Sequence, residues 1–164
     1  MLRPFFFLEV IVTLRAMVLS LTLLMPLSAQ AHAIHADKRD ISVLARTIQG
    51  EAGAESERGQ IAVAHVLLNR IKQSEDRTDS TIERAALRKG QFQVWSNKKL
   101  LARLVRENKQ YAQMKSVAEK AVSLYLSGHD FSHGAIAYCR VDKRPRWARH
   151  MRVVTKVGKH VFFA

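Results

Sequence analysis

The chain has 164 residues, enough for one domain with a buried core, and it carries a formal net charge of +13. Its single cysteine, Cys139, excludes an intrachain disulfide framework. The excess of lysine and arginine favours an anionic polymer as the partner.

The N-terminal residues have the organisation of a secretory signal peptide. An arginine-flanked, Phe-rich start precedes an apolar run at residues 16–27, and either Ala29-Gln30-Ala31 or Ala31-His32-Ala33 offers a small-x-small cleavage site. The apolar run is shorter than the ~20 residues that a membrane span needs. We therefore predict a signal peptide at residues 1–31 and one exported domain at residues 32–164, located in the periplasm, in the cell envelope or outside the cell. An uncleaved signal acting as a membrane anchor is the alternative.

The first predicted element of the domain is an amphipathic helix that ends at a carboxylate. Its apolar residues recur at intervals of three and four and share one face: Ile41, Leu44, Ala45 and Ile48. Glu51 follows between Gly50 and Gly53, which weaken helix continuation and let the backbone approach a ligand. A carboxyl group at the edge of the core is positioned for general acid chemistry, although a glutamate at a helix end is also commonly a solvated surface residue.

Three further helices are predicted in chain order. Residues 59–70 are nearly apolar in their middle and predict the central buried helix. Asn69, near its end, needs hydrogen-bond partners, and we expect it to be architectural. A third helix is predicted at residues 78–87. An amphipathic helix is predicted at residues 112–127, with Gly128 as its C-terminal cap.

The last part of the chain predicts strands. Residues 134–139 alternate weakly between apolar and polar, and Cys139 is expected there as a small buried residue. Residues 151–157 and 160–163 predict a hairpin, whose Gly158-Lys159 turn has glycine first, as a type II′ turn prefers. Helices followed by strands indicate an α+β fold.

Four segments with motif character follow one another at a characteristic spacing. They are Gly50-Glu51-Ala52 with Glu55, the run from Gly59 to Arg70, Gly90-Gln91-Phe92 with Trp95, and Arg146-Trp147-Ala148 with residues 157–162. In this order they resemble the cell wall hydrolase family of the SleB/CwlJ type. The resemblance covers about residues 41–163.

The resemblance implies a small lysozyme-like α+β fold, mostly helical with a short C-terminal antiparallel β-sheet. It also implies cleavage of peptidoglycan glycan strands between N-acetylmuramic acid and N-acetylglucosamine. Its catalytic glutamate falls on Glu51 and its second recurrent glutamate on Glu55. No metal or organic cofactor is implied.

Several family members resemble lytic transglycosylases, in which the C6 hydroxyl of the sugar closes onto C1 and leaves a 1,6-anhydro end. One carboxyl group suffices for this chemistry, because it protonates the leaving oxygen and then acts as a base. A two-carboxylate mechanism would need a partner about 5–9.5 Å away, and Glu55 and Glu57 are the candidates nearest in sequence. We rank the single-carboxylate mechanism first.

Aromatic and planar polar side chains are expected along the glycan groove, because sugar rings stack on aromatic faces and their hydroxyls bond planar groups. The candidates for the groove are Gln91, Trp95 and Tyr138, with Glu55 as electrostatic support. Phe92 and Trp147 either fill the core or face the cleft.

The predicted first strand departs from the family pattern. Members commonly carry a GATHYH-like run, where this chain has Gly134-Ala135-Ile136-Ala137-Tyr138-Cys139-Arg140. Tyr138 is retained, whereas several polar positions are replaced. The alternative function is therefore a non-catalytic peptidoglycan- or envelope-binding protein on the same scaffold.

Two charged segments have simpler explanations than new ligand sites. Residues 143–152, around Trp147, form the densest basic patch, which a solvated or wall-binding face explains, with anionic envelope polymers as further partners. Because no nucleic-acid motif accompanies the patch, no nucleic-acid partner is expected. The run 129–133 contains two histidines and an aspartate, and we favour a structural role for it over a zinc site.

Overall fold

Helices precede strands in the computed structural model, which describes residues 34–74, 80–104 and 109–164. The helices are α1 (Lys38–Ala52), α2 (Glu57–Gln73), α3 (Ile82–Leu87), α4 (Gln93–Ser96), α5 (Lys98–Leu104) and α6 (Lys109–Leu126). The strands are β1 (Ala137–Arg140), β2 (Val153–Val157) and β3 (His160–Phe163), and a 3₁₀ turn at Arg146–Arg149 separates β1 from β2. The predicted α+β class is confirmed.

Helix α1 begins at a reciprocal cap. The Asp37 side chain accepts the N–H groups of Arg39 and Asp40, both at 2.8 Å, and Asp40 accepts the Asp37 N–H at 3.3 Å. Asp40 also accepts the Glu83 N–H at 2.8 Å, which ties the start of α3 to α1. The predicted apolar face of α1 is buried, as the periodicity indicated.

Helix α2 is the central helix of the domain. All residues from 61 to 68 are buried, which confirms the prediction from the apolar run. On one side α2 packs against α1 and α6, and on the other its Ala62, Val63 and Val66 share a cluster with Phe162 of the sheet. The region where α1 ends and the sheet begins therefore lies against α2.

The boundaries of two predicted helices are wrong. Helix α3 begins at Ile82 rather than at residue 78, because the Thr81 side chain caps it by accepting the Arg84 N–H. Residues 75–79 lie outside the described ranges. Helix α6 begins at Lys109 rather than at residue 112 and ends at Leu126.

The C-terminal cap of α6 has the predicted chemistry. Gly128 has φ +86° and donates its N–H to Tyr125 O at 3.0 Å, while His129 donates to Leu124 O at 2.9 Å. This pair of bonds is a Schellman motif, which needs a residue in the left-handed region. The prediction for Gly128 is confirmed.

The sheet is antiparallel with strand order β1-β3-β2. Its hairpin joins β2 to β3 through Gly158 and Lys159; Gly158 has φ +55° and Lys159 does not lie in the left-handed region, as a type II′ turn requires. Strand β1 begins at Ala137, later than predicted, because Gly134 has φ +78° and the Ala135 N–H closes a turn onto Ser132.

The described residues belong to one compact unit, residues 32–164. In that part of the chain no helix is both long enough and apolar enough to cross a membrane. The predicted signal peptide at residues 1–31 lies outside the described residues.

Candidate active site

Glu51 occupies the last turn of α1, where two hydrogen-bond donors from other elements reach it. Its Oε1 accepts the backbone N–H of Val94 at 3.2 Å, and its Oε2 accepts the hydroxyl of Tyr138 at 3.1 Å. The side chain is half-buried. Helix α4 and strand β1 therefore fix both carboxylate oxygens of a residue on α1.

Gly50 allows this arrangement through close packing. A Cβ at position 50 would lie 2.6 Å from both Cβ and Cγ2 of Val94, closer than side-chain carbons approach one another. The helix ends at Ala52, directly before Gly53, so it stops in the region that the two glycines predicted, although Gly50 itself lies within the helix. The glycine instead lets α4 approach α1 and bring the Val94 N–H to Glu51.

Tyr138 projects from β1 as a hydrogen-bond donor. Burial raises the pKa of Tyr138 well above its usual value, and the charge of Glu51 and the hydrogen bond to it act in the same direction. Its ring packs edge-on against His160, with centroids 5.3 Å apart. The phenol is therefore protonated, and able to donate, across the neutral pH range.

Arg70 lies behind this pair and was assigned no role from the sequence. Its Nε donates to Ile136 O at 2.6 Å, and its Nη1 donates to Gln91 Oε1 at 2.8 Å. Burial lowers the pKa of Arg70, while attraction to Tyr138 and Glu51 opposes that shift. A buried cation thus contributes positive potential next to the carboxylate.

Two of the predicted groove residues are not brought to Glu51. Gln91 holds Arg70 and lines a separate depression with Ser74 and Arg88. The indole N–H of Trp95 donates to Thr47 Oγ1 at 3.0 Å, and the ring packs against the helical core. Both side chains make structural contacts.

The neighbouring glutamates also make structural contacts. Glu55 Oε2 accepts the N–H of Lys159 at 3.0 Å, and a Cβ on Gly158 would lie 2.2 Å from the same oxygen. Glu55 therefore fastens the β2–β3 turn to the segment between α1 and α2. Glu57 is exposed and pairs with Lys120 of α6.

His160 belongs to the C-terminal motif segment of the sequence, which assigned it no role of its own. It is 4% exposed, and no described residue forms a hydrogen bond with its buried Nδ1. Burial lowers the pKa of His160, and the nearby Glu55 carboxylate opposes the shift. A buried imidazole with an unpaired nitrogen is costly, which is unusual at a position without a function.

Two depressions, of about 640 and 520 Å³, meet at Glu51. Gly50, Glu51, Arg140 and His160 line both of them. We name them the β1 arm and the α1 arm. The β1 arm is completed by Gln93, Tyr138, Cys139, Lys143, Arg144 and Pro145. The α1 arm is completed mainly by the segment from Gln49 to Glu55, together with Arg103, Leu104 and Gln110.

The arms form a groove with a carboxyl group at its middle, which suits a linear polymer that extends to both sides of the reacting bond. Cys139, which we predicted to be buried, is only half-buried, because β1 presents it to the β1 arm. Of the two aromatic residues left open, Phe92 fills the core, and Trp147 is 43% exposed with one edge against Phe163.

Asn69 fixes the loop that leads into β1. Its Nδ2 donates to Asp130 at 2.9 Å, to Ser132 Oγ at 2.9 Å and to Ala135 O at 3.0 Å, and its Oδ1 accepts the Tyr125 hydroxyl at 2.7 Å. The predicted architectural role of Asn69 is confirmed. Because β1 carries Tyr138, this network sets the position of one donor to Glu51.

Asp130 is the acceptor at the centre of the same loop. Burial acts to raise its pKa, but hydrogen bonds to the carboxylate outweigh burial and hold the pKa of Asp130 well below its usual range. His65 Nδ1 lies 3.3 Å away, but it accepts the Phe131 N–H, so Ser132 and Gly134 are the better donors. The segment 129–133 is therefore structural through Asp130. Within the described ranges no three His, Cys, Asp or Glu side chains cluster closely enough to hold a metal ion.

Comparison with known proteins agrees with the sequence resemblance. A family model described as Cell Wall Hydrolase matches residues 54–163, beginning just after Glu51. The spore cortex-lytic enzyme of Bacillus cereus is 27% identical over 126 residues, which cover 76% of this chain and 44% of the relative. That of Halalkalibacterium halodurans is 30% identical over 126 residues, which cover 75% of this chain and 34% of the relative. The chain thus matches less than half the length of these curated relatives.

Two solved structures share the fold. The catalytic domain of the Bacillus cereus SleB protein superimposes with a TM-score of 0.63 at 24% identity, covering 79% of this chain and 93% of that domain. The catalytic domain of the germination-specific lytic transglycosylase SleB from Bacillus anthracis gives the same TM-score of 0.63 and 24% identity, covering 78% of this chain and 96% of that domain. With the family match over most of the described residues, the chain belongs to the cell wall hydrolase family.

Proposed function

We propose that this protein is an exported enzyme that cleaves peptidoglycan glycan strands between N-acetylmuramic acid and N-acetylglucosamine, with Glu51 as general acid and base. The observation that carries the proposal is the carboxyl group of Glu51 at the junction of the two arms, held by the Val94 N–H and the Tyr138 hydroxyl. Membership of the cell wall hydrolase family supports the substrate class.

The proposed reaction needs one carboxyl group. Glu51 donates its proton to the glycosidic oxygen as the bond from that oxygen to C1 breaks. The resulting carboxylate then takes the proton of the C6 hydroxyl while the C6 oxygen bonds to C1, which gives a 1,6-anhydro end and restores the acid. The Val94 N–H and the Tyr138 hydroxyl stabilise the carboxylate formed between these two proton transfers.

The contacts of the neighbouring glutamates support this choice over a two-carboxylate mechanism. A nucleophile or water-activating base would be a second carboxylate about 5–9.5 Å from the acid. Glu55 is engaged by the Lys159 N–H, and Glu57 pairs with Lys120 on the exposed surface. Glu55 also lines the α1 arm, but its Oε2 holds the hairpin turn, whereas the two donors of Glu51 hold its carboxyl group at the junction of the arms.

Mass spectrometry of the soluble products released from purified sacculi tests the proposal. We expect anhydro-muropeptides from the wild-type protein and none from Glu51→Gln, which keeps the shape of the side chain and removes its proton. Glu57→Gln is the matched control and should release products normally.

Other products would change the interpretation. Reducing-end muropeptides would indicate hydrolysis by water and a second carboxylate. A folded wild-type protein that cosediments with sacculi but releases nothing would favour the non-catalytic binding protein. Normal turnover by Glu51→Gln would exclude Glu51 as the acid.

A further inference from the structure

The β1 arm of the groove is strongly positive. Arg140, Lys143 and Arg144 line it, and among its lining residues in the described part of the chain Glu51 alone carries a carboxylate. Sugar rings with hydroxyl and N-acetyl groups carry no charge that would require these cations. A charged group on the substrate is therefore the natural complement of this wall.

Within the described residues, two of the three cations form no ion pair, although Lys143 lies close enough to Asp142 to help lower the pKa of that carboxyl group. Arg140 forms a bidentate pair with Asp142, with N–O distances of 2.9 and 3.0 Å. Lys143 and Arg144 are exposed, and neither forms an ion pair with a residue of the described ranges. Arg144 lies near Cys139 in the arm, since its charge partly offsets the rise that burial causes in the pKa of that thiol.

The backbone of the segment that carries these two residues is restrained. A turn closes between the Lys143 N–H and Arg140 O at 3.1 Å, directly after β1. Arg144 precedes Pro145, whose ring restricts the preceding residue to extended backbone. The two cations are thus presented by a short restrained connection between β1 and the 3₁₀ turn.

We propose that Lys143 and Arg144 bind a carboxylate carried by the glycan next to the reacting bond, so that the enzyme selects carboxylate-bearing strands over neutral ones. The inference rests on the proposed function. An arginine fork and a lysine ammonium are suitable donors for a carboxylate. The carboxylate comes either from the lactyl group of the muramic sugar or from a peptide attached to it.

Binding of short soluble glycan oligosaccharides to the full chain carrying Glu51→Gln tests this selection, because that variant leaves the ligand intact. Two ligand preparations are compared: peptide-bearing oligosaccharides, and the same oligosaccharides after an amidase has removed the peptides. Each preparation is used as it is and after its carboxylates have been converted to methylamides. We expect carboxylate-bearing ligand to bind about tenfold more tightly than its methylamide, which corresponds to about 1.4 kcal/mol.

The discriminating variant is Lys143→Gln/Arg144→Gln, which should bind carboxylate and methylamide forms equally. Lys72→Gln/Lys115→Gln is the matched control: it removes the same charge from two exposed lysines that line neither arm, and it should keep the tenfold preference. Raising the ionic strength should reduce the preference, because exposed charges are screened within about 8 Å at physiological salt.

The ligands distinguish the two sources of carboxylate. A preference shown only by peptide-bearing ligand assigns the site to the peptide carboxylate, and one shown only by amidase-treated ligand assigns it to the lactyl carboxylate that the amidase frees. A preference in both preparations shows that the site accepts either carboxylate. Equal binding of a ligand and its methylamide by the Glu51→Gln chain, or equal loss of preference in the control variant, would overturn the inference. Failure to cleave sacculi would refute the proposed function, while this binding comparison would still give an answer.

Discussion

Tyr138→Phe tests the link between geometry and chemistry most directly. The substitution removes the hydroxyl that donates to Glu51 Oε2 at 3.1 Å and leaves the ring against His160. In the proposed reaction this hydrogen bond is strongest when Glu51 is a carboxylate, after it has given up its proton. The change should therefore lower kcat and leave KM nearly unchanged.

The size of the effect follows from the type of bond. A hydrogen bond to a charged group contributes about 1.5–3 kcal/mol, and each 1.36 kcal/mol in the activation free energy is a factor of ten in rate. The Val94 N–H still holds the other oxygen at 3.2 Å, so the carboxylate does not lose all its support. We expect kcat to fall by about 10- to 100-fold.

Initial rates of muropeptide release, measured over a range of sacculus concentrations, give kcat and KM separately. Tyr111→Phe is the matched control: its hydroxyl lies 2.8 Å from Ser42 Oγ in α1, outside the groove, so kcat should stay within about twofold of wild type. A folded Tyr138→Phe variant with wild-type kcat would refute the reasoning, and so would an equal loss in Tyr111→Phe.

Two further predictions concern the scaffold of the site. Gly50→Ala should gain about 0.5–1 kcal/mol of folding stability from helix propensity and lose about 1–3 kcal/mol from overlap with Val94. Urea titration should therefore show equal or lower stability, and turnover should fall. A more stable, fully active variant would contradict the packing argument. Because its hydrogen bonds lower the pKa of Asp130, that residue stabilises the fold above the unfolded-state pKa of about 3.9, and this contribution is lost as the pH falls below that value. Asp130→Asn should therefore be less stable at pH 7 and lose less stability between pH 7 and pH 3 than wild type, as urea midpoints at the two pH values would show; equal losses in both proteins would contradict this role for Asp130.

Local signals in the sequence predicted the framework well. The apolar periodicity of α1 and the continuous apolar run in α2 record burial directly, and Gly128 and Gly158 occupy turns that need a positive φ. The burial of these helix faces and the geometry of these turns depend on residues only a few positions apart in the sequence. The family motifs in turn located Glu51 and Tyr138, which the structure brings within hydrogen-bond distance.

Contacts distant in sequence explain what the sequence did not predict. A motif marks residues that are constrained, but it does not distinguish packing from substrate contact, which is why Gln91 and Trp95 were expected in the groove. The donor at Val94 is a backbone N–H, so the identity of the side chain at that position does not predict it. His160 did leave a signal: it shares a strand face with buried Phe162, so a histidine there needs a partner or a function.

The fastening of the hairpin turn by Glu55 has a consequence for the order in which the molecule assembles. The Glu55–Lys159 bond spans 104 positions and the Glu51–Tyr138 bond spans 87, whereas α1 and α2 need only local contacts to begin forming. Pairings across such long loops form late, because the entropy of closing the loop must first be overcome. A partly folded chain would thus have helices without a groove, and the activity that we propose would arise only at the final step of folding.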